Sequence, residues 1–377
     1  MSDDVSIIIG GQAISGWQGI SVKRGAERVP SSFDLSATER YPGQISSVAI
    51  AAGSACQVKI GADLVLTGYV DRVLASLSDG SHAIRVQGRS KVEDVVDCSV
   101  TNHNIAGMQQ QVSDLVAFAG AICAPFGIKV VSLAGATIPV ALPDGGGPIP
   151  INVMLGETGY DVIERVARYV QVLVYDDPNG NLVLATGGGG GTMASGFQQG
   201  VNIQSASGAL SMDQRFSTYL PAILSYQQFG DLGAGGAQLP PVLDPTVPRY
   251  RPLYVISEQV TRDQALAVRR AKWEMARRYG RSQAITVVCD SWRDRAGTLW
   301  QPNAFAQINM PALKIAPIDP WVISDVTYSR DARSGTTASL TVMPRQAFTQ
   351  EPIILVPFGW YDHGQNAPAA GAAGGGP

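Results

Sequence analysis

A strand pattern that occurs twice, once near each end, constrains this chain more than any other feature. The first copy runs SSFDLSATE, SACQVKIG and LVLTGYVDRVLASLSDGSHAIRVQGRS, ending at Ser90. The second runs QAITVVCDSW, AFAQINM and PWVISDVTYSRDARSGTTASLTVMPRQ, ending at Gln346. Each copy is a strand, a gap, a short strand and a long hairpin with a polar, Gly-bearing tip. Two similar all-β modules in one chain imply an approximate internal symmetry, and such a chain suits a ring better than a single catalytic pocket.

The bulk numbers point the same way. The 377 residues allow two to four domains. Only 16% of residues are charged, with 42 Gly and 23 Pro, which favours a loop-rich, largely β fold. So little charge also implies that part of the surface is covered by partners. The net charge of −3 gives the chain as a whole no basic footprint for nucleic acid. Cys56, Cys98, Cys123 and Cys289 are scattered with no CxxC pair, so they read as buried free thiols. The acidic start MSDDVSIIIGG is no signal peptide, and no apolar run is long enough for a membrane span. Folding in a reducing cytosol follows.

The expected fold is α+β and mainly β. It comprises two similar small antiparallel β-barrel-like domains plus two small α/β domains, the last inserted in the second barrel. The first barrel-like domain covers residues 1–97, with a hairpin turn at Asp79-Gly80. A small α/β domain over 98–200 follows. There one helical face carries Val112, Leu115, Val116, Ala119 and Ile122, and a second carries Ile163, Val166, Ala167 and Val170. A hairpin turns at Asn179-Gly180, and the run Gly187 to Gly191 reads as a flexible linker. The second barrel-like domain is discontinuous, 201–230 and 283–350. Between its parts, 231–282 holds a Gly/Pro-rich loop and a basic helix with Thr261 and Gln264 as a capping box. The apolar stripe of that helix is Ala265, Val268, Ala271, Met275 and Tyr279. Residues 351–377 form a C-terminal extension, disordered at its end by composition.

Little in the sequence looks like chemistry. His82, His103 and His363 form no HxH or HExxH and no Cys/His cluster, so no metal site is expected. The Gly run lacks the Lys-Ser/Thr of a phosphate cradle, and no GxSxG or Cys–His arrangement is present. Asp176-Asp177 and Asp244 lie in turn contexts, where Asp is ordinary. The basic helix carries Arg262, Arg269, Arg270, Lys272, Arg277, Arg278 and Arg281 against Asp263 and Glu274. It reads as a solvated face, with a subunit contact ahead of DNA as the alternative. No catalytic residue, cofactor or metal ligand is assigned.

Several short stretches carry a family resemblance, in the same order along nearly the whole chain. They are Gly16-Trp17 through Arg24, Phe33 to Leu35, Thr67-Gly68-Tyr69-Val70-Asp71, and Gly88-Arg89 running on to Asp97-Cys98. Further on come Cys123-Ala124-Pro125-Phe126-Gly127, the Asp161–Arg168 helix and Arg249-Tyr250-Arg251-Pro252. Leu299-Trp300-Gln301-Pro302-Asn303 and Ser334-Gly335-Thr336-Thr337 complete the set. With these the chain resembles the baseplate hub proteins of Mu-type contractile-tailed phages, within the late control gene D group. The resemblance implies a structural virion protein of the tail baseplate, assembled in the host bacterial cytoplasm. It implies a homotrimer whose six modules make a ring, one face meeting a sixfold tail tube or adjacent baseplate proteins and the other a threefold tail spike. DNA would only pass through the channel, so a neutral or acidic lining is expected. A tail-tip cell-wall hydrolase is the alternative from another class, and a carbohydrate-binding module ranks below it.

Overall fold

The computed structural model describes residues 3–38, 50–79, 81–141, 147–224, 236–257, 264–315, 321–353 and 355. Gly80 of the expected Asp79 turn, Thr261, Arg262, Asp263, His363 and the Gly-rich tail lie outside the described residues. No described helix is long and apolar enough to cross a membrane.

The N-terminal part is all strand: β1 (Val5–Ile9), β2 (Gln12–Ile14), β3 (Gly19–Gly25), β4 (Arg28–Thr38), β5 (Ala55–Ile60), β6 (Asp63–Ser78) and β7 (Ser81–Ser90). In β3, Ile20 and Val22 are buried while Ser21 and Lys23 face outward, the period-two pattern of a strand with one wet face. A compact unit follows: α1 (Glu93–Asp97), β8 (Gln109–Val112), α2 (Leu115–Cys123), β9 (Val130–Ser132), β10 (Ile149–Asn152), α3 (Gly159–Tyr169), β11 (Leu173–Asp176) and β12 (Leu182–Ala185). It has its own core, built on Leu115, Ile122, Ile163 and Val166.

One sequence expectation shifts here. Val112 belongs to β8, not to a helix, because Asp114 intervenes. The Asp114 carboxylate accepts from the Val116 and Ala117 N–H groups and starts α2 only at Leu115. α3 starts on a full capping box of Thr158 and Asp161.

The chain then gives β13 (Phe197–Gln198), β14 (Ile203–Gly208), β15 (Thr218–Leu224), β16 (Gly236–Gln238), β17 (Val242–Leu243), β18 (Pro252–Ser257) and α4 (Gln264–Arg281). It closes with β19 (Ile285–Cys289), β20 (Phe305–Ala306), β21 (Ile308–Asn309), β22 (Trp321–Asp331) and β23 (Gly335–Met343). β15 pairs antiparallel with β16 and β17 and parallel with β18. α4 packs on this small sheet through Ala271 and Met275. Its buried side chains are Leu266, Ala267 and Ala271, whereas Ala265, placed on the apolar stripe by sequence, is exposed. The stripe is displaced because the helix is also held along its far flank. There the Trp273 Nε1–H and the Arg277 guanidinium donate to the Thr349 carbonyl at 2.9 and 3.0 Å.

Twelve strands form one antiparallel sheet, ordered β14-β19-β23-β22-β3-β4-β7-β6-β5-β1-β2, with β20 also on β22. The sequence repeat is visible in this order. β3-β4-β7-β6-β5 in the first half matches β14-β19-β23-β22-β20 in the second. The long hairpins agree in detail, since each has a bulge near its base, at Asp71 in β6 and at Ser324 in β22. The two halves share one hydrophobic core, running from Val22, Leu35 and Val86 to Val287, Val326 and Leu340.

The run Gly187–Gly191 is not the loose tether expected from composition. The Asn303 Oδ1 accepts from the Gly188 N–H at 2.7 Å, and the Asn303 carbonyl accepts from the Gly190 N–H at 2.9 Å. A side chain on Gly188 would collide with the Phe305 ring, and one on Gly190 with the Asn303 backbone. The glycines are there for close approach.

Candidate assembly surfaces

The two halves meet where β22 pairs with β3, from Asp325 opposite Gly25 to Arg330 opposite Ile20. This joint uses the hairpin strand of the second module and the leading strand of the first. The corresponding strands at the two outer ends are β6 and β14. β5 covers β6 only between Asp63 and Tyr69. Beyond Asp71 the outer edge of β6 has no strand partner among the described residues, and neither has the outer edge of β14. Both ends are apolar and exposed, with Leu74 and Leu77 on β6 48% and 80% accessible. Val201, Leu210 and Met212, flanking β14, are also exposed. Unpaired edges of this kind are templates for pairing with another chain.

The sheet face away from the core carries hydroxyls and charge of both signs. Ser21, Ser32, Thr286, Thr327, Ser339 and Thr341 occupy outward positions between buried neighbours. Arg85 pairs with Asp34 at 2.5 Å, and that guanidinium holds the Asp34 carboxyl below its ordinary range. A depression of about 630 Å³ lies on this face, where Lys23, Arg28, Arg72 and Arg89 stand among Asp34 and Asp71.

Arg89, at the end of β7, gathers three carboxylates: Asp71 at 2.7 Å, Asp97 at 2.9 Å and Glu93 at 3.0 Å. The cluster fastens α1 to the sheet. Burial, with the Asp71 charge beside it, outweighs Arg89 and pushes the Glu93 carboxyl up to about 7. Because that value lies above the ordinary 4.5, ionising Glu93 opposes folding. Its contribution to stability is full below pH ~4.5 and declines as pH rises through about 7. Glu93→Gln is therefore expected to raise Tm at pH 8 relative to the wild type, and much less at pH 5. Parallel Tm profiles for the two proteins across that window would refute the assignment.

The residues carrying the family resemblance fall into separate places. Trp17 and Phe33 are in the shared core. Gly68 and Gly88 sit where a side chain would strike the Arg89 carbonyl or the Tyr69 carbonyl and Phe33 ring, so they allow the β6–β7 approach over which half-buried Tyr69 lies. Asp71, Arg89 and Asp97 come together in the ion cluster. Arg24 is buried under the β3–β22 joint, near Asp176. Trp300, Pro302 and Asn303 are buried together, and Asn303 adopts φ 61°. Pro125 is exposed, and Gly127 ends its short helix in the left-handed region. Tyr250 is exposed, next to Arg251 and Pro252 at the start of β18, and Gly335 opens β23 at φ 66°. No single site unites them. Three of the four cysteines are buried as expected, but Cys98 is exposed just past α1.

The basic helix does not present a free cationic stripe. Arg277 and Arg281 both reach Glu27, Arg278 pairs with Glu274, and Arg270 pairs with Glu351. Sequence reading missed the Arg270, Arg277 and Arg281 pairs because Glu27 and Glu351 are distant along the chain. The same holds for Asp176, fully buried, which accepts from the Ser31 hydroxyl at 2.8 Å and ties β11 to β4. Burial raises its carboxyl pKa, against the Ser90 and Ser31 hydrogen bonds and the Arg24 charge. Among the described residues no group of three or more His, Cys, Asp or Glu could hold a metal ion.

Comparison with known proteins gives these surfaces a context. A crystal structure of the prophage MuSo2 43 kDa tail protein from Shewanella oneidensis is 30% identical. The match covers 91% of this chain and 99% of that one, with a TM-score of 0.77. The chain belongs to the Mu-type baseplate hub family. The baseplate hub protein gp44 of Escherichia phage Mu is 27% identical over 359 residues, 92% of this chain and 89% of that protein. Three family models match in order. Residues 4–90 fit the N-terminal domain of the Mu phage baseplate assembly protein GpP-like family, and 92–186 the second domain of the baseplate hub protein gp44-like family. Residues 263–351 fit the fourth domain of the Mu phage baseplate assembly protein GpP. A tail protein of Neisseria meningitidis MC58, 22% identical over 94% of this chain and 99% of that one, shares the fold with a TM-score of 0.68. As a Mu-type hub, the chain is a mainly β component of a phage tail baseplate.

Proposed function

We propose that this hub protein is a structural, non-enzymatic subunit that forms a homotrimeric ring between the tail tube and the central spike, with a channel through which DNA passes. The observation that carries the reading is the duplicated five-strand order within one sheet. Three copies present six similar modules, so a ring of three can meet a sixfold tube on one side and a threefold spike on the other. The hydroxyl-rich part of this face suits the channel wall. Each phosphate neutralised by an unpaired Lys or Arg would add affinity and slow DNA passage. The motif residues act in this reading as packing and joint residues, and the chain regions act as the domains expected from sequence. Assembly takes place in the host cytoplasm before incorporation into the virion. The hub names of the relatives give the hydrolase alternative no support.

Light scattering of the purified chain at two concentrations, with negative-stain images of the same sample, tests this. The expected result is three times the chain mass and ring-shaped particles with a central hole. A monomer at both concentrations, with no rings, would count against it.

A further inference from the structure

We propose that the depression on the outward face of β3, β4, β6 and β7 is a docking site for an acidic peptide segment of a partner protein, and that Lys23, Arg28 and Arg72 receive its carboxylates. The site lies within one chain and does not depend on the ring.

The charges lining the depression divide into engaged and free. The Asp71 carboxylate is held by Arg89 at 2.7 Å, and Arg89 also reaches Glu93 and Asp97. The Asp34 carboxylate is held by Arg85 and accepts from the Gln87 amide at 2.8 Å. Lys23, Arg28 and Arg72 are exposed and, among the described residues, form no ion pair. Ser21 and Ser32 add hydroxyl donors to the same lining. The acceptors of the depression are thus occupied and its donors open, which is the chemistry of an anion site. Its volume of about 630 Å³ is that of a ligand site.

Spacing selects among anions. Lys23 lies opposite Ser32, and Ser32 opposite Arg89, whereas Arg72 lies opposite Gln87, two residues away on β7. Three strand spacings and two residues separate Lys23 from Arg72, roughly 16 Å. The surface between them consists of neutral ion pairs and hydroxyls. A DNA duplex carries one charge per ~1.7 Å of axis, so most of its phosphates would meet no free cation here. An extended peptide in which acidic and neutral residues alternate sets its carboxylates ~7 Å apart on one face. Such intermittent charge can be matched to Lys23, Arg28 and Arg72, and charge matching of this kind selects a partner.

The site occurs once per chain although the module occurs twice. The bulges at Asp71 and Ser324 align the two hairpins, so that Arg72 corresponds to Asp325 and Gln87 to Thr341. Followed across the paired strands, Asp34 corresponds to Thr286, Ser21 to Ser207 and Lys23 to Ala209. The second module therefore has a carboxylate and a methyl group where the first has two of its free cations. A partner that reads this charge tells the modules apart, so three copies of the hub would offer it three sites and not six. Only that count rests on the ring reading.

Fluorescence anisotropy with the full-length chain tests the site, the probe being a fluorescein-labelled peptide of alternating Glu and Ser at low salt. Lys23→Gln with Arg72→Gln is expected to weaken binding at least about tenfold. Arg249→Gln with Arg333→Gln removes the same net charge at exposed positions elsewhere and should weaken it less than about twofold. A peptide with Gln in place of Glu should not bind. Absence of binding by the Glu peptide, or equal losses in the two double variants, overturns the site. A short DNA duplex that binds more tightly than the peptide, and loses that binding with Lys23 and Arg72, overturns the peptide as occupant. Light scattering of the same sample keeps this reading apart from the ring. A monomer that binds the peptide overturns the ring and leaves the site, and a trimer that binds none leaves the ring and overturns the site.

Discussion

Replacing Trp300 with alanine is expected to remove about 3–5 kcal/mol of folding stability, the range for truncating a large buried aromatic. Trp300 is fully buried and stacks on Phe197 with ring centroids 4.8 Å apart. Its indole N–H donates to the Ser291 carbonyl at 3.1 Å, and its backbone N–H donates to the Trp292 carbonyl at 3.0 Å. The Tyr328 hydroxyl donates to the Trp300 carbonyl, and Trp292 meets the Tyr328 ring edge-on. The indole therefore joins two chain regions, the approach to β14 and the β19–β20 connection, while the Trp300 backbone carbonyl ties in β22. Alanine would leave a cavity walled by these aromatics, whose backbone anchors prevent collapse, so the loss should fall near the top of the range. Urea unfolding followed by tryptophan-independent circular dichroism gives the measurement. Tyr250→Ala, at a side chain 79% accessible, is the control and should cost less than about 0.5 kcal/mol. A loss below about 1 kcal/mol for Trp300→Ala would mean that this part of the core is packed otherwise.

The repeat was legible because its signals are local. Alternation along β4, β6, β7, β22 and β23 marks half-buried strands. The Asn179-Gly180 step marks the β11–β12 hairpin, where the Asp177 carboxylate accepts from the Asn179 and Asn181 N–H groups. Family membership was legible for a related reason: the matched stretches are short, but their order is preserved over the whole chain. The β3–β22 joint was not legible. It pairs residues about three hundred positions apart, and strand periodicity says which face a residue takes, not which strand lies beside it.

Composition failed where it was asked about packing. Five consecutive glycines read as a linker because a free chain of that composition is flexible. In the fold, the missing side chains let the backbone run against Phe305 and Asn303. Asn303 itself was noticed through resemblance. Its left-handed backbone and its side-chain bonds to Thr186 and Gly188 explain why an amide side chain is suited to that place. The basic helix failed in a second way. Charge along a helix is visible in sequence, but its partners Glu27 and Glu351 come from other elements, so paired charge and free charge look alike.

Asp244→Ala is the second substitution with a large expected effect, about 3–5 kcal/mol, because it strands a buried cation. The Arg215 and Asp244 side chains are 5% and 6% accessible and meet at 2.7 Å. Thr246 bonds both, and the Arg215 guanidinium lies 4.9 Å from the Tyr279 ring centroid on α4. The pair thus pins the small β15 sheet to the helix above it. Burial alone would raise the Asp244 carboxyl pKa, but the Thr246 and Arg215 hydrogen bonds outweigh it and hold the pKa below its ordinary value. With a lowered folded pKa, the stabilisation is present above pH ~4 and is lost as pH falls through the folded value. Acid should therefore loosen this unit in the wild type, and the alanine variant should lack that response. The double change Arg215→Met with Asp244→Leu removes both charges together and should recover most of the loss, because an apolar pair of similar volume avoids the desolvation cost. If the double variant is as unstable as Asp244→Ala, the cost lies in lost shape and not in the stranded charge. Hydrogen exchange at the β15 and β18 amides would locate the effect, since a local pin should expose this small sheet and leave the twelve-stranded sheet protected.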